Sequence, residues 1–141
     1  MIEAIFSEIV PEPAREALLP VDETNQNDPV TRAEIVDILW TDAGSPAVES
    51  PVEFFDAADD AAVDWAAATG ITAGSGNGLF AGDNALSRAE MIGMLYTYAA
   101  PENAPEEAVW AAEMLLVGEV DLAANVTRAE ASSWLEIVCG A

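Results

Sequence analysis

The stretches Thr31-Arg32-Ala33-Glu34, Ser87-Arg88-Ala89-Glu90 and Thr127-Arg128-Ala129-Glu130 are three copies of one tetrapeptide. The chain has 26 acidic residues and no lysine, and three of its four arginines stand at the second position of this tetrapeptide. The few positive charges of this chain therefore stand mostly at equivalent positions of the tetrapeptide. This pattern indicates an internal repeat, which decides how the rest of the chain is read.

The tetrapeptide has the pattern of a helix start. Ser/Thr-x-x-Glu is a capping box, in which the hydroxyl accepts from the backbone N–H three residues on and the glutamate accepts from the backbone N–H of the capping residue. Each arginine then takes the first helical position, where the positive end of the helix dipole disfavours a cation. An acidic side chain from another repeat or an anionic ligand at the helix start must offset this cost. The sequence leaves both explanations open.

Apolar residues follow each tetrapeptide at helical spacing, three, six and seven positions after the arginine. These stripes are Ile35, Ile38 and Leu39; Met91, Met94 and Leu95; and Ala131, Trp134 and Leu135. Three equivalent helices with one apolar stripe each are buried most simply against one another. We therefore predict an all-α fold, a pseudo-threefold bundle of three helix-loop-helix repeats.

The length of 141 residues suits a single domain that spans the whole chain. The predicted repeats cover about 1–45, 46–100 and 101–141. The other predicted helices cover about 2–10, 14–19, 60–69 and 105–117. Gly118 is predicted to follow the C-terminus of the last of these, because glycine is favoured at that position.

Composition excludes several classes of function. The net charge of −22 argues against nucleic acid, which is bound through lysine and arginine, and disfavours anionic membrane surfaces. The sequence contains no run of 18 apolar residues, so no membrane-spanning helix is predicted. Histidine is absent, which removes the commonest general base and the usual zinc ligand. We expect no enzymatic activity, no metal and no cofactor, and the single Cys139 excludes an internal disulfide.

The second repeat carries further motifs ahead of its tetrapeptide. They are Phe55-Asp56-Ala57, Trp65-Ala66, Gly70-Ile71-Thr72-Ala73-Gly74 and Gly78-Leu79-Phe80. Together they resemble the S-layer homology (SLH) repeat, whose pattern is Phe-Asp-Val, Trp-Ala, Gly-Ile-x-x-Gly, Gly-x-Phe and Thr-Arg-Ala-Glu. The first and third repeats are degenerate, because they share only the Thr-Arg-Ala-Glu helix and part of the helix before it.

The resemblance implies a secreted module of the bacterial cell surface or cell wall, which binds an acidic secondary cell-wall polymer non-covalently. The acidic sugar of that polymer is often pyruvylated. If the protein is exported, we expect its signal segment to precede residue 1. The resemblance also implies ligand-binding grooves between repeats. In these grooves the arginines would bind the acidic sugar, a tryptophan would pack on a sugar ring, and backbone N–H groups of the glycine loop would donate hydrogen bonds. Carried onto this chain, the ligand-binding residues are Arg32, Arg88, Arg128, Trp65, Gly74 and Ser75.

Two alternatives accompany this reading. Trp65 has the helical spacing of a core residue as well as the chemistry of a sugar platform. The whole domain can also be a degenerate SLH scaffold, which serves protein–protein interaction or surface-layer self-assembly with other surface proteins as partners. In that case the arginines would tie the repeats together through carboxylates.

Overall fold

The computed structural model describes residues 19–48, 54, 56, 60–72 and 78–140. Within these ranges it contains five α-helices and isolated β-bridges, but no strand that belongs to a sheet, which confirms the all-α prediction. None of the helices in this part of the chain is long and apolar enough to cross a membrane. The helices predicted over 2–10 and 14–19 lie outside the described residues, except for Leu19.

The helices have bounds close to those expected from the sequence. They are α1 Arg32–Asp42, α2 Ala61–Ala68, α3 Arg88–Ala99, α4 Glu107–Met114 and α5 Arg128–Leu135. One π-helical turn, Glu136–Gly140, continues α5. We refer to α1, α3 and α5, which begin at the tetrapeptides, as the motif helices.

All three motif helices begin with the predicted capping box. In α1, the backbone N–H of Glu34 donates to the Thr31 hydroxyl at 3.2 Å, and the backbone N–H of Thr31 donates to the Glu34 carboxylate at 3.0 Å. Ser87 with Glu90 and Thr127 with Glu130 repeat this arrangement. Each cap is worth about 1 kcal/mol and holds the arginine in the first turn.

The segments that precede the motif helices pair with one another at one end of the molecule. Isolated antiparallel bridges join Pro29 to Thr127, Thr31 to Ala85 and Ser87 to Asn125. These contacts close a cycle, because each segment pairs with both of the others. The starts of the three motif helices are thereby brought side by side. The division into repeats at about residues 45 and 100 stays a prediction.

The apolar stripes of the motif helices meet in one core. The residues three and seven positions after each arginine are completely buried: Ile35, Leu39, Met91, Leu95, Ala131 and Leu135. Trp110 of α4 is also buried and lies edge-on to Tyr96, with ring centroids 5.4 Å apart. The helices that do not begin with a tetrapeptide therefore also contribute buried side chains to the core.

The end of α4 differs from the prediction. The helix stops at Met114, and Leu116 rather than Gly118 takes the left-handed conformation after it, with φ of 61°. The backbone N–H of Val117 then donates to the Ala111 carbonyl at 3.3 Å. Leu115, which caps the helix, is buried in the core, and the left-handed residue directly after it cannot continue an α-helix.

Cys139 should be an unreactive thiol. Burial raises its pKa to about 12, and the negative charge of Asp42 acts in the same direction. Since only the thiolate is nucleophilic, we expect alkylation of the native protein by iodoacetamide at pH 8 to be about a hundredfold or more slower than for a free cysteine. Mass spectrometry over time measures this rate, with the urea-denatured chain as the control. Equal rates in the two states would contradict the expectation.

Candidate functional site

Two arginines of the tetrapeptides form close ion pairs with the capping glutamate of another motif helix. The Arg88 Nε donates to both carboxylate oxygens of Glu130 at 3.0 Å, and the Arg128 Nη1 lies 3.0 Å from Glu34 Oε2. Each glutamate therefore caps its own helix and binds the arginine of another. The sequence left two explanations open for these cations: an acidic side chain from another repeat or an anionic ligand. For Arg88 and Arg128, the structure shows the acidic side chain.

The Arg88 and Glu130 pair has further support. The Arg88 Nη1 donates to the Asp121 carbonyl at 3.0 Å. Partial burial raises the pKa of Glu130, but hydrogen bonds from Thr127 and Arg88 outweigh it and leave that pKa below its usual value. Since the folded-state pKa is the lower one, the pair stabilises the fold above the ordinary glutamate range. This contribution is lost as the pH falls through the folded-state value.

Arg32 is held less closely than the other two arginines. Its Nη2 lies 3.6 Å from Glu90 Oε2, and the Glu90 side chain is 48% exposed. The Arg32 Nε is buried, and it has no hydrogen-bond acceptor among the residues that the structure describes. A buried donor without a partner costs about 1–3 kcal/mol. An acceptor placed at this nitrogen would therefore be stabilised.

Arg32 lines an open groove of about 320 Å³ between α1, α2 and α3. We refer to it as the Arg32 groove. Its walls are the start of α1, the end of α2, one face of α3 and the first residue of α4. The residues that line it include Arg32, Gly70, Ile71, Thr72, Glu90 and Glu107. Across the described ranges, no group of three or more histidine, cysteine, aspartate or glutamate side chains is placed to hold a metal ion.

The other predicted ligand residues do not line this groove within the described part of the chain. Trp65 is 8% exposed and lies edge-on to Tyr98 at 6.0 Å between ring centroids, so its ring contributes to the core. Gly74 and Ser75 lie outside the described residues. Their backbone contacts with a ligand stay predictions, as do ligand contacts of the remaining predicted residues.

Asp56 has a structural role that sequence reasoning missed. Its two carboxylate oxygens accept from the backbone N–H groups of Phe80 and Ala81 at 2.8 and 2.9 Å, and these bonds lower its pKa. They close a loop in which Ala81 has φ of 61° and Phe80 packs on Phe54. The Phe-Asp and Gly-x-Phe motifs contained this signal, because a short carboxylate often satisfies loop donors. Glu107, by contrast, had no signal in the sequence for a place in the Arg32 groove.

Residues 56–92 match the family model of the S-layer homology domain. This segment is similar to the S-layer homology domain. The match spans about a quarter of the chain, and it runs from the loop-closing Asp56 through α2 into α3. It includes half of the residues that line the Arg32 groove, among them Gly70, Ile71 and Glu90, whereas Arg32 and Glu107 lie outside it. A search of curated proteins found no match.

The family gives the segment a general role. S-layer homology domains are non-catalytic modules that anchor proteins to the cell wall. The chain therefore carries a segment of a kind associated with the cell wall or cell surface.

Proposed function

We propose that this domain attaches its protein to the bacterial cell wall by binding an acidic secondary cell-wall polysaccharide in the Arg32 groove. The observation that carries the proposal is the buried Arg32 Nε, which lacks an acceptor at the wall of an open groove. Part of the opposite wall, including Gly70–Thr72 and Glu90, comes from the segment that matches the S-layer homology model. The proposal thus combines the role of the family with one incompletely satisfied cation.

A carboxylate on the sugar is the group that suits this site. Guanidinium presents donors in a planar fork that matches a carboxylate, and the start of α1 adds the positive end of a helix dipole. Glu90 already faces Arg32, but at 3.6 Å and half exposed it is a weak competitor. Arg88 and Arg128 would have to release closer glutamates before they could bind the same group.

Other predicted contacts belong to the same proposal. Gly74 and Ser75 follow Gly70–Thr72, which lines the groove, after one intervening residue, so the chain is long enough for their backbone N–H groups to reach a sugar there. Trp65 would contribute indirectly, because its buried ring supports the end of α2, which forms one wall of the groove. The overall charge of −22 repels an acidic polymer, but salt screens this repulsion beyond about 8 Å at physiological ionic strength.

The test is a pull-down with purified Gram-positive wall sacculi, before and after hydrofluoric acid removes the secondary polymer. We expect wild-type protein to bind only untreated sacculi. Arg32→Ala should weaken binding at least tenfold, since it removes the cation that faces the carboxylate. Glu90→Gln should strengthen it, because glutamine can still close a capping box but no longer competes for Arg32.

Circular dichroism of each variant provides the folding control. Binding that survives hydrofluoric acid, or binding that Arg32→Ala leaves intact, would contradict the proposal.

A degenerate S-layer homology scaffold for protein–protein interaction is the second candidate. The cycle of ion pairs between motif helices favours it, because those arginines already join separate parts of the chain. Absence of wild-type binding to every sacculus preparation, with the protein folded, would support this scaffold over the wall anchor.

A further inference from the structure

The loops that precede α3 and α5 are structurally equivalent. Gly82 and Leu122 each lie six residues before the arginine of the following tetrapeptide. Their carbonyls accept from the backbone N–H groups of Ala33 and Ala89, at 3.0 and 2.9 Å. This shared register allows the two loops to be compared residue by residue.

The comparison shows a large side chain in one loop and a small one in the other. Phe80 is buried and packs against Phe54, with ring centroids 5.9 Å apart. Val120 occupies the equivalent place and is 42% exposed. Beside it lies an open cavity of about 290 Å³, which we refer to as the α4 cavity. Its apolar walls include Ile92, Ala108, Ala111, Val117, Val120 and Leu122.

Exposed leucines lie in and next to the wall of this cavity. Leu122 lines it and is 44% exposed, and Leu116, which directly precedes the lining residue Val117, is 76% exposed. Leu116 is in the left-handed conformation that Gly70 adopts after α2, and this conformation is unfavourable for leucine. A strained and solvated leucine beside an open apolar cavity is therefore maintained at a cost to the folded state.

The charge of the surroundings identifies the kind of occupant. Glu107 and Glu119 line the α4 cavity. A second copy of the chain would bring another charge of −22, and residues 1–18 contain four glutamates against one arginine. Neither complements an acidic rim. An apolar segment that carries lysine or arginine does, because it fills the cavity and neutralises the rim together.

We propose that the α4 cavity and Leu116 form a docking surface for a segment of another protein, in which an apolar side chain is flanked by basic residues. The apolar side chain occupies the space that Phe80 fills in the equivalent loop. Leu116 packs against the same segment, and Glu107 and Glu119 pair with its cations. Glu107 lines both this cavity and the Arg32 groove, but Arg32 itself lines only the groove, so peptide binding here should not require Arg32.

The test is a titration of the ¹⁵N-labelled protein, monitored by NMR, with a synthetic peptide of alternating leucine and lysine around one phenylalanine. The same peptide with glutamate in place of lysine is the control probe. We expect saturable shifts in the amides of residues 116–122 with the basic peptide and none with the acidic one.

Three variants distinguish docking from general attraction between opposite charges. Val120→Phe fills the cavity without a change in charge, and it should weaken peptide binding at least tenfold. Leu116→Gly should also weaken binding while it raises the melting temperature, because glycine relieves the strained conformation. Leu79→Ala, at an exposed leucine of the other loop, should leave peptide binding unchanged.

Several results would overturn the proposal. Shifts spread over all acidic segments, or full affinity in Val120→Phe, would mean that charge alone attracts the peptide. Nuclear Overhauser effects between the Val120 methyl groups and residues 1–18 would show that the chain's own segment fills the cavity. A dimer in sedimentation that Val120→Phe abolishes would identify a second copy as the occupant. Loss of peptide binding in Arg32→Ala would contradict the independence of the two sites.

Discussion

Arg88→Ala is expected to lower the free energy of unfolding by roughly 2–3 kcal/mol. The change removes two charge-assisted hydrogen bonds to Glu130 and one to the Asp121 carbonyl. It also leaves Glu130, with a side chain 30% exposed, without its cation. Because the pair joins the starts of α3 and α5, its loss weakens a contact between distant parts of the chain.

Urea denaturation followed by circular dichroism measures this effect at pH 7. Arg32→Ala is the matched control, since it removes the same residue type from the same helical position. Its longer contact with an exposed glutamate should cost less than about 1 kcal/mol. The difference between the variants should shrink as the pH falls through the lowered pKa of Glu130. Equal losses in both variants would mean that the distances do not reflect the strength of the pairs.

Leu86→Ala is expected to cost about 3 kcal/mol or more. Leu86 is completely buried where the segments before the motif helices pair, and its neighbours Val30 and Val126 are equally buried. Its backbone N–H donates to the Val30 carbonyl, and its carbonyl accepts from Val126, both at 3.0 Å. These hydrogen bonds hold the backbone in place and limit its collapse into the space left by the side chain. A cavity therefore remains, and its cost adds to the lost burial.

The same denaturation experiment measures this loss, with Leu122→Ala as the control. Leu122 has the same side chain but is 44% exposed in a loop of similar register, so its truncation should cost well under 1 kcal/mol. A small effect of Leu86→Ala would show that the paired segments rearrange to fill the space. That result would contradict the expectation that the backbone hydrogen bonds of Leu86 keep the cavity open.

The helix starts could be predicted from the sequence because a capping box is a local interaction. Thr31 and Glu34 are three residues apart, so their hydrogen bonds form in the first helical turn whatever surrounds it. The stripe through Ile35 and Leu39 follows from helical periodicity in the same way, and both residues are buried. The resemblance in the second repeat likewise rested on contiguous motifs, and the family match over residues 56–92 agrees with it.

The end of α4 shows where local reasoning failed. Apolar periodicity through Val117 favoured a longer helix, and Gly118 was the residue best suited to terminate it. The helix instead ends at Met114, where Leu115 is buried in the core and Leu116 adopts a conformation that leucine avoids. The conformation of Leu116 is against its local preference, so the sequence near it did not predict this helix end.

The sequence by itself determined that three arginines stand at three capped helix starts, since both features depend on residues within one turn. Only the tertiary structure decided what those arginines contact. It gives Arg88 and Arg128 close glutamates from other helices, and leaves Arg32 at a longer distance beside an open groove. The three tetrapeptides are nearly identical, so their differences arise from segments far away in the chain. The distance between each arginine and its glutamate depends on how those segments pack, and the tetrapeptide sequence alone does not predict that packing.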